Sequence, residues 1–259
     1  MTARATDLET RSGERPRSAA RRLECLGSDL LAFALPQRCP GCGAPARPER
    51  LLCDGCLAQA QPLAIPLCAR CLARGGEPAG CLAHPGHAVW AAWVYDERVA
   101  LLVHALKYHE RPRLARELSA ALARALPRAM WTSGGAGAGA GTRFDLIAEV
   151  PLHETRRRER GYNQAGLLAE SLADRIGVPR LAGAIERVRS TRPQARLGPA
   201  ERRANLAGAF RVRRPEWLAG RNVLIVDDVL TTGATFEACF DALIGAGARP
   251  TGAALAWAQ

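Results

Sequence analysis

The pattern of apolar and polar positions divides the chain into helical and strand-like segments. Apolar residues recur three or four positions apart over residues 23–34, 99–108 and 114–126, which predicts three amphipathic helices. Short apolar runs predict strands at 89–95, 144–150, 181–185, 222–228 and 252–257, with helices at 163–176 and after Gly233. Strands that alternate with helices predict an α/β fold with a mostly parallel sheet flanked by helices.

The same pattern predicts three parts of the chain. Residues 1–22 are rich in charge and contain no apolar stretch, so they predict a disordered tail and not a secretory signal. Residues 23–87 hold the first helix and most of the cysteines, and residues 88–259 form the α/β domain, interrupted by a flexible Gly/Ala insert at 132–142. No apolar run approaches the roughly 18 residues that span a bilayer, so we expect no transmembrane segment and a cytoplasmic protein.

Cysteine spacing indicates metal binding. Seven of the nine cysteines lie between Cys39 and Cys81, in C-x2-C pairs followed by a C-x2-H pair. Two such pairs supply the four ligands of tetrahedral zinc, and four protein ligands leave no open position, which predicts two structural zinc ribbons. An iron–sulfur cluster and reduced structural thiols are the alternatives, and His87 competes with His84 as the last ligand. The predicted ligands are Cys39, Cys42, Cys53 and Cys56 in one site, and Cys68, Cys71, Cys81 and His84 in the other.

The segment VLIVDDVLTTGAT, which begins at Val223, carries the strongest chemical signal. Four apolar residues predict a buried strand, Asp227 and Asp228 lie at its end, and a Thr/Gly turn then opens a helix. Backbone N–H groups at a helix N-terminus bind phosphate, whereas carboxylates accept hydrogen bonds from sugar hydroxyls. The segment therefore predicts a ribose 5-phosphate site. Its phosphate-binding residues are Thr231, Thr232, Gly233, Ala234 and Thr235.

This motif resembles that of the type I phosphoribosyltransferases, which bind phosphoribosyl pyrophosphate (PRPP). The stretches HALKY from His104, PLH from Pro151 and ERGYNQA from Glu159 further resemble the ComF family, which also begins with a zinc-ribbon module. The resemblance implies a type I phosphoribosyltransferase fold behind a small N-terminal zinc-ribbon module. It also implies that Asp227 and Asp228 hold the ribose 2′- and 3′-hydroxyls. A histidine at position 84, where the family usually has cysteine, is a departure from the pattern.

The resemblance assigns two further segments to the reaction. The loop after the first core strand would bind pyrophosphate together with Mg²⁺, which prefers phosphate and water ligands. Its predicted contacts are Pro151, Leu152, His153, Arg156 and Arg160. Residues 191–203 would close over the reacting centre, where related enzymes often supply a lysine. The chain has a single lysine, Lys107, so the catalytic cation is expected to be Arg192 or Arg196.

The absence of one motif, the net charge and one residue of the acidic motif narrow the range of possible functions. No P-loop sequence is present, which excludes ATPases of that class. The net charge is +11, and sixteen arginines against six acidic residues lie between Arg156 and Arg221, which favours polyanionic ligands. Thr231 stands where transferases that act on 6-oxopurines resemble one another in having aspartate, which disfavours that group.

Two functions remain open. The leading hypothesis is an Mg²⁺-dependent transferase that moves ribose 5-phosphate from PRPP to a nitrogen acceptor, which the family resemblance connects to DNA uptake in natural competence. The alternative is a non-catalytic adaptor that uses the same fold to bind single-stranded DNA or partner proteins of the competence machinery. Only 5% of the residues are aromatic. Because single strands stack on aromatic side chains, this argues against autonomous binding of single-stranded DNA.

Overall fold

The computed structural model describes residues 38–47, 50–59, 63, 66–73, 81–108, 112–131, 143–189 and 198–259. The predicted tail, first helix and Gly/Ala insert lie outside these residues, as do Arg192 and Arg196. The strands are β1 (Leu67–Cys68), β2 (Ala88–Val94), β3 (Leu146–Glu149), β4 (Ile185–Arg187), β5 (Phe210–Val212), β6 (Asn222–Leu230) and β7 (Arg249–Trp257). The helices are α1 (Asp54–Gln59), α2 (Glu97–Tyr108), α3 (Pro112–Ala125), α4 (Glu154–Arg160), α5 (Gln164–Ile176), α6 (Pro199–Leu206) and α7 (Ala234–Gly245). Short 3-10 turns cover Arg128–Met130 and Pro215–Trp217.

The main sheet has five strands in the order β1-β2-β7-β6-β3. Strands β2, β7, β6 and β3 are parallel to one another, and only β1 is antiparallel to its neighbour β2. This confirms the predicted mostly parallel α/β sheet. Because β1 comes from the cysteine-rich segment, that segment contributes a strand to the main sheet of the α/β domain.

Both faces of the sheet are buried. Successive side chains of a strand point to opposite faces, and β6 shows this clearly. Leu224 and Val226 pack with helices α2, α3 and α5 on one face, together with the predicted metal ligands Cys39 and Cys56. Val223 and Ile225 pack with α7 and the smaller β4–β5 pair on the other. A strand that is covered on both faces has apolar residues at successive positions. The sequence pattern predicted β6 correctly for this reason.

The predicted strand at 181–185 is wrong. Only its last residue belongs to a strand, and that strand, β4, pairs antiparallel with β5 outside the main sheet. The preceding residues follow the edge of β3 instead, with the Leu181 N–H donating to the carbonyl of Ile147 at 2.8 Å. Gly183 has a φ of 66°, which interrupts an extended run. The apolar pattern could not show that the segment leaves the sheet, and it did not predict β5 at all.

Candidate functional site

Asp228 lies near the end of β6 and is held by two helices of the same sheet face. The Lys107 ammonium lies 3.0 Å from its Oδ2, and the Gln164 side-chain amide donates to the same oxygen at 3.2 Å. Asp228 is 6% exposed and Gln164 is 4% exposed, so the carboxylate is largely removed from water. A buried carboxylate is costly unless it is paired, and these two donors supply partners for Asp228. The end of β6, the last turn of α2 and the start of α5 therefore meet at one carboxylate.

Asp227, the neighbouring carboxylate, has a different environment. Its Oδ1 accepts a hydrogen bond from the backbone N–H of Asp228 at 2.8 Å. Burial, followed by the negative charge of Asp228, raises the pKa of Asp227 well above its usual range, and Lys107 offsets this only in part. The two adjacent aspartates thus differ: Asp228 has a cationic partner at contact distance, whereas Asp227 bears the cost of burial.

Lys107 is a residue of the candidate site that the sequence analysis did not predict there. The expectation was that any catalytic cation would be an arginine, because no lysine lies in the segment at 191–203. Arg192 and Arg196 lie outside the described residues, so that prediction stands untested. The structure brings Lys107 to Asp228 from α2, a helix that precedes the motif by more than a hundred residues. Its place in the HALKY segment was the available signal.

A second set of contacts extends from this carboxylate to α4. Arg160, the last residue of α4, donates to the Gln164 side-chain oxygen at 3.2 Å, and its guanidinium lies 5.3 Å from the centre of the Tyr108 ring. The Tyr162 hydroxyl donates to the carbonyl of Leu106 at 2.6 Å, which fastens the end of α2 to the start of α5. Arg160 is therefore connected to Asp228 through a single side chain, Gln164.

The segment at 151–160, expected to be a loop, is helical from Glu154 onward. His153 caps this helix, since its Nδ1 accepts from the N–H of Thr155 at 3.3 Å, and Gly161 ends it in a left-handed conformation with a φ of 77°. Arg156 is exposed on α4, whereas Pro151, Leu152 and His153 are half-buried.

An open cleft of about 650 Å³ lies beside α4. Pro151, Leu152 and Arg157 line it on one side, and Arg187 and Arg213 from the β4–β5 region line it on another. The cleft is thus bordered by the segment expected to hold pyrophosphate and by the smaller sheet.

Asn163 sets the junction between β3 and α5. Its Nδ2 donates to the carbonyl of Val150 at 3.0 Å, and its Oδ1 accepts from the N–H of Ala165 at 3.1 Å as the cap of α5. Such a cap typically stabilises a helix by about 1 kcal/mol. By joining the strand end to the helix start, Asn163 fixes the position of Gln164, and so of the Asp228 hydrogen bond.

The turn at 231–235 connects β6 to α7. Gly233 is buried and has a φ of 77°, and α7 begins at the next residue. Thr231 is exposed, Thr232 and Thr235 are half-buried, and Ala234 is buried. The N–H groups of the first helical turn and the helix dipole favour an anion at this position. The turn and the two aspartates share the carboxyl edge of the parallel sheet, where ligands bind in open α/β sheets.

The predicted metal ligands form two clusters, each with its ligand atoms within 4.8 Å of one another. A Zn–S bond of about 2.3 Å places the ligands of a tetrahedron roughly 3.8 Å apart. The separations are 3.5 Å between the sulfurs of Cys42 and Cys53, 3.7 Å between those of Cys71 and Cys81, and 3.6 Å from the Cys68 sulfur to the His84 Nδ1. The residues present therefore fit zinc at both sites. We call the cluster of Cys39, Cys42, Cys53 and Cys56 the first knuckle, and that of Cys68, Cys71, Cys81 and His84 the second knuckle.

His84, and not His87, completes the second knuckle. The His87 Nδ1 lies 3.1 Å from the carbonyl of Pro85, and its ring packs edge-on against Phe240 in the core. The backbone N–H of Ala83 lowers the pKa of the Cys81 thiol, which favours the thiolate that a metal requires.

The chain matches two family models and several curated relatives. A double zinc ribbon domain matches residues 30–83, and a phosphoribosyl transferase domain matches residues 163–259. The DNA utilization protein YhgH of Salmonella typhimurium is 34% identical over 227 residues, which cover 85% of this chain and 84% of that protein. YhgH of Escherichia coli O157:H7 is 33% identical over 210 residues, or 81% of this chain and 85% of that protein. Competence protein F of Haemophilus influenzae is 33% identical over 200 residues, or 72% of this chain and 81% of that protein.

These matches agree with the geometry. The zinc-ribbon match covers seven of the eight residues of the two knuckles, and the transferase match covers the 231–235 turn and both aspartates. Within the described part of the chain, no helix has the length and apolar character needed to cross a bilayer. The chain belongs to the ComF family, the proteins related to competence protein F and YhgH in which a double zinc ribbon precedes a phosphoribosyltransferase domain.

Proposed function

We propose that this protein is an Mg²⁺-dependent phosphoribosyltransferase that binds PRPP and transfers its ribose 5-phosphate to a nitrogen acceptor, with release of pyrophosphate. The observation that carries the proposal is the buried Asp228, paired with Lys107 and Gln164 beside a Thr/Gly turn that opens α7. Acceptors for sugar hydroxyls and donors for a phosphate thus lie next to each other on one sheet edge, within a phosphoribosyltransferase domain.

Each residue has a chemical role in this proposal. Asp227 and Asp228 accept hydrogen bonds from the ribose hydroxyls, and the turn at 231–235 donates to the 5′-phosphate. Lys107 offsets the negative charge of the two carboxylates, which would otherwise repel an anionic substrate. Arg160 and Arg156 on α4 attract the pyrophosphate group. Bound Mg²⁺ would neutralise the charge on the pyrophosphate oxygens.

Positive charge at C1 develops as the bond to pyrophosphate breaks. The acceptor nitrogen forms the new bond to C1, and pyrophosphate leaves with the electron pair of the broken bond. The chain contributes mainly by positioning the ribose and stabilising the leaving group. The names of its relatives support a connection to DNA uptake or utilization, and the thiol ligands of the knuckles suit the reducing cytoplasm.

Calorimetry with PRPP and Mg²⁺ on the zinc-loaded protein tests the proposal. We expect saturable binding that is lost when Asp227→Asn and Asp228→Asn are combined, because both acceptors for the ribose hydroxyls are weakened. Lys107→Met should weaken binding while preserving the length of the side chain. If the wild-type protein binds no PRPP although its zinc content is complete, the proposal is wrong.

Single-stranded DNA binding is the second candidate function. Arg156, Arg157 and Arg158 are exposed on α4, where they form a basic patch open to solvent. If this patch binds DNA, affinity should fall steeply with salt and survive Asp227→Asn. Replacing the three arginines by alanine should then reduce the salt dependence by about three phosphate contacts. A salt-independent signal, or no binding at low salt, would exclude this role for α4.

A further inference from the structure

The turn at 231–235 rests directly on the main chain of the second knuckle. A Cβ atom added to Gly233 would lie 1.7 Å from the carbonyl oxygen of Ala69, far inside van der Waals contact. Ala69 lies between the metal ligands Cys68 and Cys71. Glycine is therefore required at position 233 both for its φ of 77° and because the knuckle leaves no room for a side chain.

Local hydrogen bonds and the metal ligands together define the shape of this part of the knuckle. The N–H of Cys68 donates to the carbonyl of Ala73 at 2.9 Å, and the N–H of Leu72 donates to that of Cys68 at 2.8 Å. Ala69 is anchored to the start of β2 through its N–H, which donates to the carbonyl of His87 at 2.8 Å. Cys68 and Cys71 flank the Ala69 carbonyl, so a metal bound by both would hold it in place.

Side-chain hydrogen bonds join the second knuckle, α6 and α7. Arg70 of the knuckle donates to Glu237 Oε1 at 2.7 Å, and Arg203 of α6 donates to its Oε2 at 2.9 Å. Arg203 also donates to the carbonyl of Arg70 at 2.6 Å. The Glu237 side chain lies in the first turn of α7 and is only 12% exposed, whereas Arg70 and Arg203 are partly exposed. Two arginines from different elements thus clamp the helix that follows the turn.

We propose that the second knuckle positions the turn for the 5′-phosphate of the substrate, with Ala69 and Arg70 as the positioning residues. The inference rests on the proposed function, because it assigns the phosphate end of PRPP to this turn. The inference applies to the second knuckle alone, because the first knuckle packs against α2 and α3 through Cys39 and Cys56, away from α7. Metal at the second knuckle and substrate at the turn should therefore stabilise each other's binding, because coupling between two sites is reciprocal.

Arg70→Ala is the decisive variant, and Arg50→Ala is its matched control. Arg50 is about as exposed as Arg70 and makes an ion pair with the exposed Asp54 at 2.9 Å beside the first knuckle. We expect Arg70→Ala to weaken PRPP and ribose 5-phosphate binding about tenfold, the scale of one lost charged hydrogen bond. Pyrophosphate, which has no 5′-phosphate, should bind within about twofold of wild type. Arg70→Lys should restore part of the loss, and Arg50→Ala should bind all three ligands as wild type does.

Zinc release to a chromogenic chelator independently tests the coupling between the second knuckle and the turn. PRPP should slow the release of one of the two zinc ions in wild-type protein, and Arg70→Ala should reduce this protection. If Arg70→Ala is poorly folded by circular dichroism, Glu237→Gln tests the same clamp from α7. Wild-type protein that fails to bind PRPP refutes the proposed function and this inference with it. Wild-type binding with equal losses in the Arg70 and Arg50 variants, or with no change in either, refutes the inference alone.

Discussion

The two adjacent aspartates should affect stability in opposite directions when each is replaced by asparagine. Asp228 is paired with Lys107 at 3.0 Å and Gln164 at 3.2 Å, so Asp228→Asn removes a charge that the fold has already compensated. Asp227 is half-buried beside a like charge and has a raised pKa, so Asp227→Asn removes a charge that the fold opposes. Asparagine is nearly isosteric with aspartate, which limits the change to charge and hydrogen bonding.

The size of the Asp228 effect follows from its contacts. At 3.0 Å and an effective dielectric constant of about 20, the attraction to Lys107 is roughly 5 kcal/mol before desolvation is subtracted. Hydrogen bonds to charged groups contribute about 1.5–3 kcal/mol net. We therefore expect Asp228→Asn to reduce the free energy of unfolding by about 2 kcal/mol. For a protein of this size, that corresponds to a fall in Tm of about 4–8 °C.

The Asp227 effect depends on pH. Below the pKa of an unfolded aspartate, about 3.9, the side chain is protonated in both states and the substitution changes little. As pH rises from there through the higher pKa of the folded state, the wild-type protein loses stability that the Asp227→Asn variant keeps. The variant should therefore melt at or above the wild-type temperature at neutral pH, and its advantage should be larger there than near the pKa of an unfolded aspartate.

Thermal unfolding followed by circular dichroism across this pH range checks both variants. Zinc content must be matched, because loss of metal would itself lower Tm. Equal destabilisation by the two substitutions at neutral pH would refute the distinction between Asp228, which is paired with Lys107, and Asp227, which has no ion pair among the described residues. An Asp227→Asn variant whose advantage shrinks as pH rises would contradict the direction of its pKa shift.

Three further predictions concern the scaffold and its metal. Glu117 of α3 accepts from the N–H of Leu51 at 2.6 Å and from the next N–H at 3.0 Å, so Glu117→Gln should cost about 1–2 kcal/mol in chemical denaturation, and an unchanged midpoint would contradict it. A Cβ on Gly252 would lie 2.9 Å from the Phe236 ring, so Gly252→Ala should cost about 1–3 kcal/mol through overpacking, and a Tm equal to wild type would show that β7 can shift. His84→Ala should reduce bound zinc from two ions to one by elemental analysis, and two retained ions would show that His84 is not a ligand.

Much of the fold was predictable because its signals are local. The covered strand β6, the acidic pair and the glycine turn are contiguous in sequence, so their periodicity and turn chemistry identify them without knowledge of distant contacts. The C-x2-C spacing is also a local signal, because each pair forms one turn that carries two ligands. Helices α2, α3 and α5 were predicted for the same reason, to within about two residues at their ends.

The secondary-structure prediction was wrong at two segments, the stretch before β4 and helix α4. The stretch before β4 has the apolar character of a strand, but its backbone hydrogen bonds go to the edge of β3, and β4 pairs with a strand far along the chain. A strand of three residues with one buried side chain carries too little pattern to be detected. Helix α4 was missed because its arginines give no apolar stripe, and the signals that remain are its caps, His153 and Gly161.

The amino-acid sequence by itself determined the seven cysteine ligands, the acidic strand end and the Thr/Gly turn, since each depends on residues a few positions apart. Only the tertiary structure decided which residues meet at these features. Lys107 reaches Asp228 because α2 and β6 pack on the same sheet face, and Ala69 reaches Gly233 because β1 joins the sheet beside β2. Such contacts depend on strand order and layer packing, which bring distant residues together without leaving a periodic trace in the sequence.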